Sequence, residues 1–165
     1  MSYFSALKLS LLSLVLTACS PDTLSIFKHE PSQVFFETQD TTAQEVAPFL
    51  DGGLLLTLGV ANLDDIEVYL FAYKLAPERP NLHVETAVLY AGDQQFMARD
   101  IQKSCTYSAE TTPYPECEIQ LFKIMNKSVL TRSEALKIVL NYTLDDTPGS
   151  MIYTLTETKI LSPQH

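Results

Sequence analysis

The sequence predicts an all-β fold, an antiparallel β-sandwich formed by a single domain over residues 34–165. Apolar side chains alternate with polar ones along several short runs, which is the period of a half-buried strand. The clearest run places apolar side chains at every second position: Leu136, Ile138, Leu140, Tyr142 and Leu144. Segments rich in Pro, Gly and Asp separate the runs. Strands do not alternate with helices, so a parallel α/β fold is disfavoured.

The predicted strands follow one another along the whole of this domain. They cover residues 54–60, 66–72, 82–90, 117–121, 136–144 and 151–160. The separating turns are predicted at residues 62–65, 77–81, 92–93, 112–115 and 145–149. Several short strands punctuated in this way are typical of a sandwich or a barrel.

Helix is predicted for at most one or two short turns. Thr42–Glu45 has the spacing of a capping box, but Pro48 follows too soon for a long helix. Thr131–Glu134 is a second capping box, and periodicity leaves the following segment open to either helix or strand. We favour one helical turn followed by a strand. A helical turn before a late strand resembles the immunoglobulin-like sandwiches, although their corner tyrosine has no clear match here.

The N-terminal segment has the order of an export signal. Lys8 precedes an apolar run at residues 9–16, which is too short for a membrane-spanning helix of about 20 residues. The run ends in Leu16-Thr17-Ala18-Cys19, which resembles the lipobox of bacterial lipoproteins. The resemblance implies that residues 1–18 are a signal peptide and that Cys19 carries the lipid anchor. Residues 19–33, with Pro21 and Pro31, then predict a flexible tether.

The residue after the cysteine bears on localisation. In lipoproteins of enteric-type bacteria, an aspartate at this position favours retention in the inner membrane, and here the position is Ser20. The resemblance therefore implies the periplasmic face of the outer membrane, with the inner membrane left open.

Three cysteines leave one unpaired in an exported protein, which normally needs an explanation. Lipidation of Cys19 leaves Cys105 and Cys117 as a predicted disulfide, because the periplasm is oxidising. A loop of this length stabilises a fold by about 3 kcal/mol in the chain-entropy model. The pair lacks the CxxC spacing typical of redox or metal sites, so a structural bond is favoured.

The charge of the chain argues against two classes of partner. Without residues 1–18 it has 10 basic and 20 acidic side chains, a net charge of −10, because Lys8 is the only charged side chain removed. Nucleic acid requires clustered Lys and Arg, as does adsorption to anionic lipid. We therefore expect no nucleic-acid partner, and a membrane link through the lipid anchor alone.

Catalytic and metal-binding motifs are absent from the sequence. The three histidines have no partner at ligand spacing, and HExxH, GxSxG, Walker A and GxGxxG patterns do not occur. We predict no metal and no cofactor. The alternative function is an enzyme or small-ligand binder with a site at the loop tips around Asp64, Asp65, Asp145 and Asp146. Aspartates beside turns more often bond to their own backbone.

Two features suggest a binding surface for a protein. If the turn at residues 77–81 closes a hairpin, six side chains share one face: Glu67, Tyr69, Phe71, Tyr73, His83 and Glu85. Aromatic side chains with polar tips are typical of protein interfaces. The competing interpretation is that this face packs against the domain itself, and full burial of the aromatic residues would exclude an interface.

The second feature is the loop between Cys105 and Cys117, which carries Tyr107 and Tyr114. A disulfide-closed loop loses less entropy on binding, although a hairpin stapled without any partner is equally consistent with the sequence. Together these features favour a non-enzymatic lipoprotein that contacts another envelope protein.

Overall fold

The structure is a computed structural model that describes residues 23–62, 65–75, 81–99, 101, 117–124, 130 and 135–161. Over these residues two antiparallel sheets enclose one apolar core, which confirms the predicted all-β sandwich. The elements in chain order are β1 (Thr23–Lys28), α1 (Glu30–Thr38), a 3-10 turn (Ala47–Phe49), β2 (Leu50–Asp51), β3 (Leu54–Asn62), β4 (Ile66–Lys74), β5 (Leu82–Ala91), β6 (Gln94–Arg99), β7 (Cys117–Ile124), β8 (Ala135–Leu144) and β9 (Thr147–Leu161).

The strands divide into a five-stranded sheet with the order β1-β9-β8-β5-β6 and a four-stranded sheet with the order β2-β3-β4-β7. Counted from β3, the last seven strands have the orders 4-3-6-7 and 1-2-5. The immunoglobulin orders are 1-2-5-4 and 3-6-7, so strands 1-2-5 and 3-6-7 keep their places here. Only the fourth strand changes sheet, and it pairs with the third, as the added strand of variable-type domains does. The strand order is therefore consistent with the immunoglobulin-like sandwich expected from the sequence.

Period-two burial explains why the predicted strands form. In β8 the side chains at even positions, such as Leu136 and Ile138, are fully buried, whereas those at odd positions face outward. The strand interpretation of this ambiguous segment is confirmed from Ala135 onward; the helical turn predicted at residues 131–134 lies outside the described residues.

The predicted tether is wrong from residue 23 onward. Thr23–Lys28 pairs with β9 as an edge strand, and Phe27 is buried in the core. Glu30–Thr38 then forms a helix of nine residues. Proline is common in loops, but Pro31 lies in the first turn of α1, where its missing N–H costs no hydrogen bond.

The N-terminal segment closes an edge of the four-stranded sheet. Because β2 has only two residues, most of β3 has no strand on that side. The Ser32 hydroxyl accepts from the Leu58 N–H at 2.9 Å, and the Tyr153 hydroxyl donates to the Leu56 carbonyl at 3.2 Å. These side chains satisfy backbone groups that would otherwise be buried and unpaired.

At the far end of β3, the side chain of Asn62 also bonds to backbone groups, in this case those of β1. Its amide side chain accepts from the Phe27 N–H at 2.8 Å and donates to the Phe27 carbonyl at 3.0 Å. One side chain thereby imitates a strand partner and joins β1 to the opposite sheet.

His29 fixes the start of α1 inside this closure. Its ring is 2 % exposed and packs edge-on against Phe49 and Tyr153, with centroids 4.7 and 5.2 Å away. Nδ1 accepts from the Ser32 backbone N–H at 3.3 Å, so it carries no proton, and the Ser32 hydroxyl 2.6 Å away donates to it as well. An accepting Nδ1 requires the neutral ring, and burial lowers the pKa of His29 to about 4.

The hairpin turn between β8 and β9 carries two acidic residues in a left-handed conformation. Asp145 and Asp146 have φ of 47° and 65°, and two such residues between paired strands form a type I′ turn. The Asp145 carboxylate accepts from the Asn81 N–H at 2.8 Å. The turn predicted at residues 145–149 is thus confirmed for Asp145 and Asp146, whereas residues 147–149 already belong to β9, and the Asp145 carboxylate is occupied by Asn81.

We predict an acid-sensitive stability that depends on His29. The unfolded chain binds a proton at this ring below a pH of about 6.5, whereas the folded protein binds it only near pH 4. The free energy of unfolding should therefore fall as the pH is lowered across this range, by up to about 3 kcal/mol. Denaturant melts of His29→Asn, which keeps a capping acceptor, should show a smaller fall between pH 7 and pH 4.5. The control His83→Asn should follow the wild type; equal falls in all three proteins would contradict the assignment.

We also predict that Asp146→Gly stabilises the protein. Glycine adopts a positive φ without the steric cost that aspartate carries at 65°. The free energy of unfolding should rise by about 0.5–1 kcal/mol in chemical denaturation, because the left-handed cost of about 1–2 kcal/mol exceeds the extra chain entropy of glycine. Asp146→Val should lower it, and a gain from valine would show that backbone strain is not the cause.

Candidate binding groove

The structure keeps part of the predicted aromatic face together. Glu67, Tyr69 and Phe71 lie on the outer face of the four-stranded sheet, and each side chain is half-buried. Tyr73 lies on the same face but is only 8 % exposed, because Phe35 of α1 packs edge-on against it at 4.8 Å. Tyr73 is therefore excluded from an exposed binding face, whereas Tyr69 and Phe71 remain accessible.

His83 and Glu85 do not belong to this face, so that part of the prediction is wrong. The assumed hairpin does not exist, because β3 and β7 already occupy both edges of β4. The strand β5 instead pairs with β8 and β6 in the other sheet. His83 is opposite Thr143 there, and Glu85 is the extra residue at an irregularity in the pairing between Val84 and Thr86.

Helix α1 converts the flat face into a groove of about 490 Å³. Phe36 packs edge-on against Phe71 with centroids 6.2 Å apart and forms one wall together with Gln33. The strands supply the remainder, including Gly59, Tyr69 and Glu118. The groove lies where the helix stops covering the sheet.

The floor of the groove is aromatic and closely fitted. The rings of Tyr69 and Phe71 are nearly parallel, with an angle of 8° and centroids 6.3 Å apart. Phe71 extends over Gly59, where a Cβ atom would lie 2.2 Å from Cε2 of the ring. Glycine is therefore required at position 59 for the ring to occupy its place.

A polar network holds the Tyr69 side chain at one end of the groove. The Tyr69 hydroxyl donates to the Glu67 carboxylate, which also lies 2.7 Å from Nζ of Lys123. The hydrogen bond from Lys123, followed by that from Tyr69, lowers the pKa of Glu67. The bond to Glu67 in turn raises the pKa of Tyr69. This carboxylate is thus already neutralised by a neighbouring cation.

Glu118 differs from Glu67 in its surroundings. It is exposed, lies opposite Phe71 in the strand pairing and lines the groove. Within the described part of the chain it forms no ion pair, and no Lys or Arg lines the groove. Its charge contributes to the raised pKa of Tyr69. The groove therefore has a negative potential beside its aromatic floor.

The aspartates proposed for a loop-tip site are separated in the fold. Asp65 precedes β4 and lies 3.8 Å from Nζ of Lys123, whereas Asp145 and Asp146 form the β8–β9 turn of the other sheet. Asp64 lies outside the described residues. Over the described ranges, no group of three or more His, Cys, Asp or Glu side chains could hold a metal ion.

Several predicted residues fall where the structure makes no description: Cys19, Cys105, Tyr107 and Tyr114. Their predicted roles stay predictions. Cys117 begins β7, and its half-buried side chain packs against the core.

No protein-family model, no curated protein and no solved structure matches this chain. In the described part of the chain, none of the helices is long and apolar enough to cross a membrane.

We predict that Gly59→Ala disrupts the groove. The added methyl group collides with the Phe71 ring, and overpacking of this kind costs about 1–3 kcal/mol. The free energy of unfolding should fall by that amount, and a second change, Phe71→Leu, should recover part of the loss. The matched control is Ala61→Val on the same exposed face, which should change stability little. Additive losses in the double variant would contradict the contact.

Proposed function

We propose that this protein is a lipid-anchored envelope protein that binds a segment of another envelope protein in the groove beside α1. The anchor would be Cys19, after removal of residues 1–18, and its site the periplasmic face of the outer membrane, with the inner membrane as the other location. Support comes from the Leu16-Thr17-Ala18-Cys19 motif at the end of the apolar run and from Ser20 after it.

The start of the fold bears on how the anchor would work. Since β1 begins at Thr23, the domain starts four residues after Cys19. Four residues of extended chain span at most about 14 Å. The domain would therefore lie directly at the membrane surface, and its partner would have to approach closely.

The groove carries the binding part of the proposal. Half-buried aromatic rings beside a wall of helix residues offer apolar area that a partner can cover, and aromatic residues dominate the binding energy of protein interfaces. A groove preformed by a packed helix also loses little entropy when it is filled.

We further propose that Cys105 and Cys117 form a disulfide. Support comes from the cysteine count, because lipidation would remove Cys19 and leave two cysteines in an oxidising periplasm. The bond would fix the beginning of β7, and hence the neighbouring Glu118, at the groove.

The proposal predicts that one substitution abolishes membrane anchoring alone and that another abolishes partner binding alone. Cys19→Ala should lose incorporation of a palmitate analogue and leave the membrane fraction, while the protein still binds its partner. Phe71→Ser should remain in the membrane fraction, and its affinity for the partner should fall at least about tenfold. The reason is that residues at the centre of an interface contribute most of the binding energy. Cross-linking in intact cells followed by reconstitution with the purified partner would measure both effects.

Ile152→Ser provides the matched control, because Ile152 is 56 % exposed on the other sheet and away from the groove. It should keep both the anchor and the partner. A partner that Ile152→Ser loses and Phe71→Ser retains would move the interface to the five-stranded sheet. Unchanged lipid labelling of Cys19→Ala would contradict the anchor.

A further inference from the structure

We propose that the groove recognises an arginine side chain of its partner, an inference that rests on the proposed function of the groove as a binding site. The ligand class is a guanidinium group presented by an exposed, unstructured protein segment. The juxtaposition that carries it is the carboxylate of Glu118 beside the aromatic floor formed by Tyr69 and Phe71.

Charge selects a cation. The groove is lined by one carboxylate and no basic side chain within the described residues, and the chain as a whole has a net charge of −9. The nearest acidic neighbours, Asp65 and Glu67, are paired with Lys123, so they contribute little attraction. Glu118 is left as the carboxylate that a ligand can neutralise. An acidic segment would be repelled, and a purely apolar segment would cover this charge without pairing it.

Shape and hydration select arginine over lysine. A guanidinium group is planar, can lie against an aromatic ring and can bond a carboxylate through two N–H groups. Its weak hydration lowers the cost of entering an apolar groove, whereas an ammonium group is compact and strongly hydrated. The rings of Tyr69 and Phe71 provide the plane, and Glu118 provides the acceptor at its side, since Glu118 is opposite Phe71 in the strand pairing.

The surrounding contacts hold this arrangement in place before a ligand arrives. Tyr69 is fixed by its hydroxyl bond to Glu67, and Phe71 by Gly59 on one side and Phe36 on another. The amide of Gln33 on α1 lines the same groove and offers a further acceptor oxygen for a guanidinium N–H. The chain thus supplies a charged acceptor, a neutral acceptor and two rings around one space.

The test compares three synthetic peptides that differ only at one position: Leu-Arg-Pro, Leu-Lys-Pro and Leu-citrulline-Pro, each with blocked ends. Citrulline keeps the shape of arginine and removes its charge. Binding is measured by the shifts of the Gly59 amide and of the Tyr69 and Phe71 ring resonances in the detergent-extracted, full-length protein. The arginine peptide should bind about tenfold more tightly than the citrulline peptide, and the lysine peptide should lie between them.

Two carboxylate variants decide where the preference arises. Glu118→Gln should abolish the arginine preference at unchanged stability, whereas Glu85→Gln, an exposed carboxylate change on the other sheet, should keep it. Equal affinity for arginine and citrulline, or a preference that survives Glu118→Gln, would overturn the inference. If all three peptides bind the groove equally, the arginine inference is wrong but the groove can still be a binding site. The proposed binding function of the groove is wrong if Phe71→Ser retains the cellular partner.

Discussion

The open edge of β3 is the constraint on which the arrangement of this protein depends. The strand β2 pairs with only two of its residues, so the remaining outward backbone groups must find partners elsewhere. Ser32 from α1 and Tyr153 from β9 each supply one, and Asn62 joins the far end to β1. Elements from both ends of the chain must therefore meet at one edge. Such closure also removes a strand edge that could pair with another chain.

The groove is a consequence of this closure. Ser32 reaches β3 from the first turn of α1, whose N-cap His29 packs edge-on against Phe49 and Tyr153. Once the helix is fixed there, Phe35 covers Tyr73, and Phe36 forms a wall beside Phe71. The same contacts that complete the edge hence divide the aromatic face into a buried part and an accessible part. Stability and the shape of the candidate site share one set of residues.

Local periodicity in the sequence predicted the strands, but strand pairing and helix α1 depend on tertiary contacts and were not predicted. Alternation identified β8 and the face of β4 that carries Tyr69 and Phe71, because one side of each strand is buried. Alternation cannot say which strands pair, so the assumed β4–β5 hairpin placed His83 on the wrong sheet. Helix α1 was missed because Pro31 also marks loops. Its signal was His29 and Pro31 at capping spacing before Phe35, and only the edge of β3 gives that segment a reason to fold.

The position of each acidic residue in the fold likewise determines whether its carboxylate is bonded within the protein or is accessible to a ligand. Asp145 bonds to Asn81 in a turn, Asp51 accepts from the Tyr142 hydroxyl at 2.6 Å, and Glu67 pairs with Lys123. These carboxylates are occupied in holding the fold, although each resembles Glu118 in the sequence. Glu118 differs because its strand position places it opposite Phe71, beside the groove that α1 creates. Placement therefore decides what a carboxylate does: within the described residues Glu118 forms no ion pair and lies beside an accessible aromatic surface.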